Sequence, residues 1–176
     1  MNNHKDRKKT RLAGYDYAQD GHYFITICSK NREEFFGKIV NGRMALNELG
    51  MIVENQWLWL AGQYDYVRLD EYVIMPNHVH GILVIDNCWP VGTGRDLSLP
   101  SVGKTKSVSE LIGAFKTTSS KLIHLNGLEY FFWQRSFYDH IIRNESALNN
   151  IREYIANNPL NWALEKDRDH LLNIDL

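Results

Sequence analysis

His78-Val79-His80 is the first group of residues in this chain whose types and spacing suit chemistry. In an extended strand, side chains alternate between faces, so residues 78 and 80 share one face, roughly 7 Å apart along the strand. Two imidazoles placed that way can converge on one divalent ion, while Val79 points to the opposite side, into a core. A second group is Ile151-Arg152-Glu153-Tyr154-Ile155-Ala156-Asn157-Asn158-Pro159. On a helix, Tyr154 and Asn158 stand four residues apart and project from one face. A tyrosine hydroxyl can act as a covalent nucleophile, and an amide oxygen one turn away can complete the shell of a metal. Packing is the plainer reading of both groups. Two histidines on a strand can be satisfied core residues, and Ala147, Ile151, Tyr154 and Ile155 form a stripe that would bury against a sheet.

The elements that must carry these residues are legible in pattern. Residues 1–20 read as a polar, basic arm. His22–Cys28 is rich in β-branched and aromatic residues and predicts a strand. Phe35–Val40 and Arg43–Leu46 flank Asn41-Gly42, a hairpin signal. Asn47 is placed to cap a helix with Leu49, Ile52, Val53, Trp57 and Leu60 at helical spacing. Tyr66–Met75 and His78–Ile85 predict two strands. The link between them, Pro76-Asn77, is short enough to force antiparallel pairing. Residues 86–106 hold Pro90, Gly92, Gly94, Pro100 and Gly103 and predict a loop. Ser107 and Glu110 form a capping box ahead of a helix with Val108, Leu111, Ile112, Phe115, Leu122 and Ile123 on one face. Tyr130–Trp133 is the expected last strand. Asn144 opens a final helix that should stop at Asn157, because Pro159 disfavours helical backbone at the residue before it. This order predicts an α+β ferredoxin-like sandwich, an antiparallel sheet with helices packed on it. The expected organisation is an arm at 1–20, one catalytic domain at 21–165 and a tail at 166–176.

Taken in order, several blocks resemble a known family. Tyr72-Val73-Ile74-Met75-Pro76-Asn77-His78-Val79-His80-Gly81-Ile82-Leu83 is similar to the metal motif of the REP-associated tyrosine transposases, within the single-tyrosine HUH transposases. Trp133-Gln134-Arg135-Ser136-Phe137-Tyr138-Asp139-His140-Ile141-Ile142-Arg143-Asn144 resembles their second block, and Tyr154–Pro159 resembles the block that carries the nucleophile. Tyr15-Asp16-Tyr17 and Gly21–Thr26 resemble their first strand, so the similarity spans most of residues 11–162. The resemblance implies an HUH endonuclease fold, with His78 and His80 as metal ligands, Tyr154 as nucleophile and Asn158 as third ligand. Many relatives carry glutamine at the position of Asn158. The implied cofactor is Mg²⁺ or Mn²⁺, and two imidazoles with an amide suit Mn²⁺ better in softness. The implied reaction is transesterification of single-stranded or hairpin DNA through a 5′-phosphotyrosine, with a free 3′-hydroxyl left to reverse it. Neither water nor a nucleotide cofactor is consumed. Tyr138, in the second block, is the rival nucleophile. Lys116 and Lys121 on the 107–124 helix, with Arg135, His140 and Arg143 in the second block, are the expected DNA contacts. The resemblance leaves a homodimer with a shared site and a monomer both open.

Composition sets the outer bounds. The 176 residues suit one domain, and 44% hydrophobic with 23% charged residues is a globular balance. The longest apolar stretch, Met51–Leu60, is interrupted by Glu54, Asn55 and Gln56 and is too short to span a bilayer. Cys28 and Cys88 have no metal or redox spacing, which points to a reducing, cytoplasmic setting. Net charge is −1, so any DNA contact rests on local patches such as Lys5–Arg11 rather than on a basic domain. Gly103-Lys104-Thr105 hints at a phosphate loop, yet Ser98 stands where its first glycine belongs, and a nucleotide triphosphatase is rejected. The readings left as alternatives are an HUH replication initiator or relaxase, and a non-catalytic or domesticated module that binds hairpin DNA.

Overall fold

The computed structural model describes residues 12, 14–88 and 105–172, with the side chains of the last helix described as far as Glu165. The basic arm to residue 11, the core of the 86–106 loop and residues 173–176 lie outside the described residues. Ten elements follow one another. They are β1 (Gly21–Cys28), a one-turn 3₁₀ helix (Lys30–Arg32), β2 (Gly37–Val40), β3 (Arg43–Leu46), α1 (Glu48–Gln63), β4 (Val67–Met75), β5 (His78–Ile85), α2 (Val108–Leu125), β6 (Tyr138–Ile142) and α3 (Glu145–Leu172). Four strands form one antiparallel sheet in the order β4-β5-β1-β6, and β2-β3 is a separate hairpin. Strands β1, β4, β5 and β6 with α1 and α2 make the expected ferredoxin-like α+β sandwich.

Alternation along the central strands sorts side chains between two cores. Tyr23, Ile25 and Ile27 of β1, with Val79, Leu83 and Ile85 of β5, point to the side covered by α1 and α2. They bury there with Val53, Trp57, Leu60, Leu111, Ile112, Phe115 and Ile123. The opposite side is smaller. Phe24 and Ile82 meet Ile142, Leu148 and Ile155 under α3, with Ala147 and Ile151 alongside.

Local chemistry sets most boundaries where the sequence places them. The β2-β3 turn uses Asn41 and Gly42, both at positive φ (51° and 70°), as a two-residue hairpin of primed type requires. Asn47 Oδ1 accepts from Gly50 N at 2.9 Å and starts α1. The Ser107–Glu110 capping box starts α2. On α2, Leu122 is 38% exposed rather than buried, while Leu111, Phe115 and Ile123 are fully buried.

Two further expectations fail. Tyr130–Trp133 is not the last strand. It makes a single bridge just past the end of β1, Ser29 with Trp133, and the ladder resumes only at β6, Tyr138–Ile142. Between the two, the carbonyls of Gln134 and Ser136 leave the sheet and accept from Lys116 Nζ at 2.8 and 3.1 Å. The final helix also does not stop before Pro159. It runs on to Leu172, so residues 166–172 continue α3. An interior proline removes one backbone hydrogen bond and costs roughly 3 kcal/mol. Packing on both sides offsets that cost, since Ile155, Asn158 and Pro159 are buried and Trp162 lies 5.7 Å from the His78 ring. No helix among the described residues is long and apolar enough to cross a membrane.

Gly81 is where sheet and α1 come closest. A Cβ there would lie 2.5 Å from Cζ2 of the fully buried Trp57. Gly81→Ala should therefore cost about 1–3 kcal/mol through overpacking. Thermal unfolding followed by circular dichroism measures it, and an unchanged Tm would show that the indole can give way.

Candidate active site

The register between β1 and β5 builds the site. Thr26 lies opposite His80, Cys28 opposite His78, and all four residues face α3. Thr26 Oγ1 is 2.8 Å from His80 Nδ1, and Asn77 Oδ1 is 2.7 Å from His78 Nδ1. If each Nδ1 carries the proton, Thr26 and Asn77 accept it, and both Nε2 lone pairs remain available. That is how outer partners fix metal-binding imidazoles. The rings lie 4.5 Å apart, centroid to centroid. Burial pushes His78 down to about 4, helped by the charge of Arg32, and pushes His80 down to about 3, helped by His78. Both are therefore neutral near pH 7, the form that can ligate a metal.

Asn77 does more than orient His78. Its Nδ2 donates to Arg32 O at 2.8 Å, and its carbonyl accepts from Ser29 N at 2.9 Å and from Ser29 Oγ at 3.0 Å. The two-residue β4-β5 turn is thereby tied to the chain leaving β1.

From the other side, α3 presents Tyr154, Asn158, Asn161, Trp162 and Glu165, successive positions of one helical face. Tyr154 is not part of the packing stripe. Ala147, Ile151 and Ile155 make that stripe, while Tyr154 stays 46% exposed with its hydroxyl 3.4 Å from His80 Nε2. Phe24 supports both rings, stacked on His80 at 5.4 Å and edge-on to Tyr154 at 6.0 Å. His78, His80, Tyr154 and Asn158 line one open cavity of about 370 Å³, with Thr26, Cys28 and Arg32 on its sheet side. Asn158 is 9% exposed. Among the described residues no three His, Cys, Asp or Glu side chains cluster closely enough to hold an ion. Asn158 lines the same cavity as the two imidazoles.

The other sequence-derived candidates stand elsewhere. Tyr138 is half exposed on β6, touches Phe24 edge-on at 6.3 Å and does not line the cavity. Lys116 is held by the two carbonyls described above, and burial pushes it down to about 8. Lys121 is exposed on the outer side of α2 beside His124 and Glu129. His140 and Arg143 border a second cavity of about 390 Å³ with Tyr17 and Asn144, and Arg135 is exposed outside both. Sequence reasoning missed Thr26, Asn77 and Arg32 as members of the site. Asn77 had a readable signal, an asparagine in the turn just before the histidine pair. Thr26 and Arg32 had none, because strand pairing brings the one there and the turn tied to Asn77 brings the other.

The tyrosine helix is also fixed to the sheet electrostatically. The β4 register slips between Leu69 and Tyr72, and the bulged Asp70 receives a two-pronged contact from Arg152. Nε reaches Oδ1 at 2.9 Å, and Nη2 reaches Oδ2 at 2.6 Å, one half-turn of helix before Tyr154.

No family model matches the chain. A Haemophilus influenzae protein described only as uncharacterized is 40% identical over 165 residues, covering 91% of this chain and 92% of its own. A REP-associated tyrosine transposase solved bound to a REP hairpin shares this fold, superposing with a TM-score of 0.57 at 18% identity, over 86% of this chain and 73% of that one. At that identity the likeness establishes the fold, in agreement with the sequence resemblance. By descent, the chain belongs to one family with the Haemophilus influenzae protein.

Arg152 holds the Asp70 carboxyl below the usual carboxylate range. The stabilisation is complete above the unfolded value of about 3.9 and disappears as pH falls through the lower folded value. Asp70→Asn should accordingly lower Tm modestly at pH 7, and the deficit should close as the solution is acidified towards pH 2. A deficit independent of pH would show that shape, not charge, holds the helix.

Proposed function

We propose that this chain is a metal-dependent single-tyrosine transposase. It would cleave and rejoin single-stranded DNA carrying REP-like hairpins through a 5′-phosphotyrosine. The observation that carries this reading is the Tyr154 hydroxyl, exposed and 3.4 Å from an imidazole that is itself neutral and paired with a second. The shared fold of a transposase solved on a REP hairpin supports the choice of substrate.

His78 Nε2, His80 Nε2 and the Asn158 amide oxygen would hold Mg²⁺ or Mn²⁺. Bound there, the ion would polarise the scissile phosphate and offset the charge that develops on its oxygens. The rest falls to the protein. A free phenol has a pKa of about 10 and attacks poorly at neutral pH, so geometry must supply the advantage. Phe24 and the Asp70–Arg152 contact hold Tyr154 over the histidine pair. Its oxygen forms a bond to phosphorus, the bond to the 3′ oxygen breaks, and the phenol proton ends on that 3′ oxygen. Reversal by the same or another 3′-hydroxyl rejoins DNA, with no net change in phosphodiester bonds.

Covalent trapping tests it. Protein, Mn²⁺ and labelled single-stranded hairpin DNA should give an adduct on a denaturing gel. The adduct should vanish in Tyr154→Phe, in His78→Ala and on chelation, and persist in Tyr138→Phe. An adduct surviving Tyr154→Phe would move the nucleophile elsewhere. Intact binding with no adduct on any hairpin would leave a binding module.

A further inference from the structure

Tyr130-Phe131-Phe132-Trp133 crosses the end of β1 with its side chains alternating. Phe131 and Trp133 are buried at 0% and 8% exposure, whereas Phe132 is 50% exposed. A single exposed aromatic residue is ordinary. The surroundings of Phe132 are not. Lys30 Nζ lies 5.4 Å from its ring centroid, and the His124 ring stands edge-on at 5.9 Å. His124 Nε2 is 2.8 Å from the Phe131 carbonyl, and Lys30 N donates to the Phe132 carbonyl at 2.8 Å, so the backbone is held on both sides of Phe132.

The same short turn leads into the cavity of Tyr154. Lys30 begins it and Arg32, which lines that cavity, ends it. Asn31 and Arg32 both have φ of 57°, a left-handed conformation that non-glycine residues adopt at a cost. The turn is held in it by Asn77 Nδ2 on the Arg32 carbonyl, and Asn77 also orients His78. An exposed aromatic face, two cations and the histidine pair are therefore linked through one rigid turn.

We propose that Phe132, with Lys30 and Arg32, is a subsite for the unpaired strand next to the scissile phosphate, Phe132 stacking one base while the two cations contact the backbone. The proposal rests on the DNA-cleaving reading above and extends it to the strand's path. Stacking needs only a π-face, so such a subsite selects single-stranded over paired DNA with little regard to sequence. Lys30 has a flexible stem and can leave the ring for a phosphate as a base arrives.

The test compares two labelled DNAs by fluorescence anisotropy, using the full chain with Tyr154→Phe so that no strand is consumed. One is a hairpin with randomised single-stranded flanks, and the other is the same hairpin with none. Phe132→Ala should weaken binding of the flanked hairpin about tenfold and leave the blunt one unchanged, while Phe132→Trp keeps full affinity. Lys30→Gln should reduce the salt dependence of flanked binding by about 0.7 in slope. A matching Tm for Phe132→Ala excludes a folding defect. Unchanged flanked binding in Phe132→Ala, or equal loss on both DNAs, overturns the subsite while the nuclease reading stands. If the parent binds neither DNA, the DNA reading falls and the subsite with it.

Discussion

The pairing of β1 with β5 is the constraint on which the rest depends. That register sets Thr26 against His80 and Cys28 against His78, and the two-residue period turns all four towards α3. A slip of one residue would carry both imidazoles into the apolar layer under α1 and α2 and bring Val79 out. The buried set of Tyr23, Ile25, Ile27, Leu83 and Ile85 on that side makes such a slip costly. The apolar core thus fixes the position of the polar site.

Polar groups then refine what the register places. Asn77 and Thr26 each engage one Nδ1, which leaves both Nε2 atoms turned to one cavity. Burial keeps the rings uncharged, so they do not repel each other or a cation. Helix α3 closes the cavity by laying Ile155 and Leu148 on Phe24 and Ile82, with the Asp70–Arg152 contact limiting its rotation. Tyr154 is left at the border between packed and open surface, where a ring can be supported while its hydroxyl stays accessible.

Lys116 shows that a charged residue on a helix face can also serve the fold. A lysine on the polar face of a helix suggests a phosphate contact, and here it satisfies two carbonyls where the β6 edge breaks away. The broken ladder also explains why Tyr130–Trp133, with every mark of a strand, makes only one bridge. Backbone groups that leave a sheet need partners, and a nearby ammonium group serves.

By itself the sequence determined the order of elements as far as α2, the Asn41-Gly42 turn, the caps at Asn47 and Ser107, and the facing of His78 and His80. These are local, following from side-chain period and from hydrogen bonds within a few residues. It also pointed to Tyr154 and Asn158 through their shared helical face and a family resemblance. Tertiary structure alone decided that α3 continues past Pro159, that Leu122 is exposed, and that Thr26 and Arg32 line the cavity of the histidine pair. Residues far apart in the chain become neighbours only through strand register and helix docking, and their energies outweigh local preference. The roughly 3 kcal/mol that an interior proline costs is small beside the burial of the helix faces on either side of it.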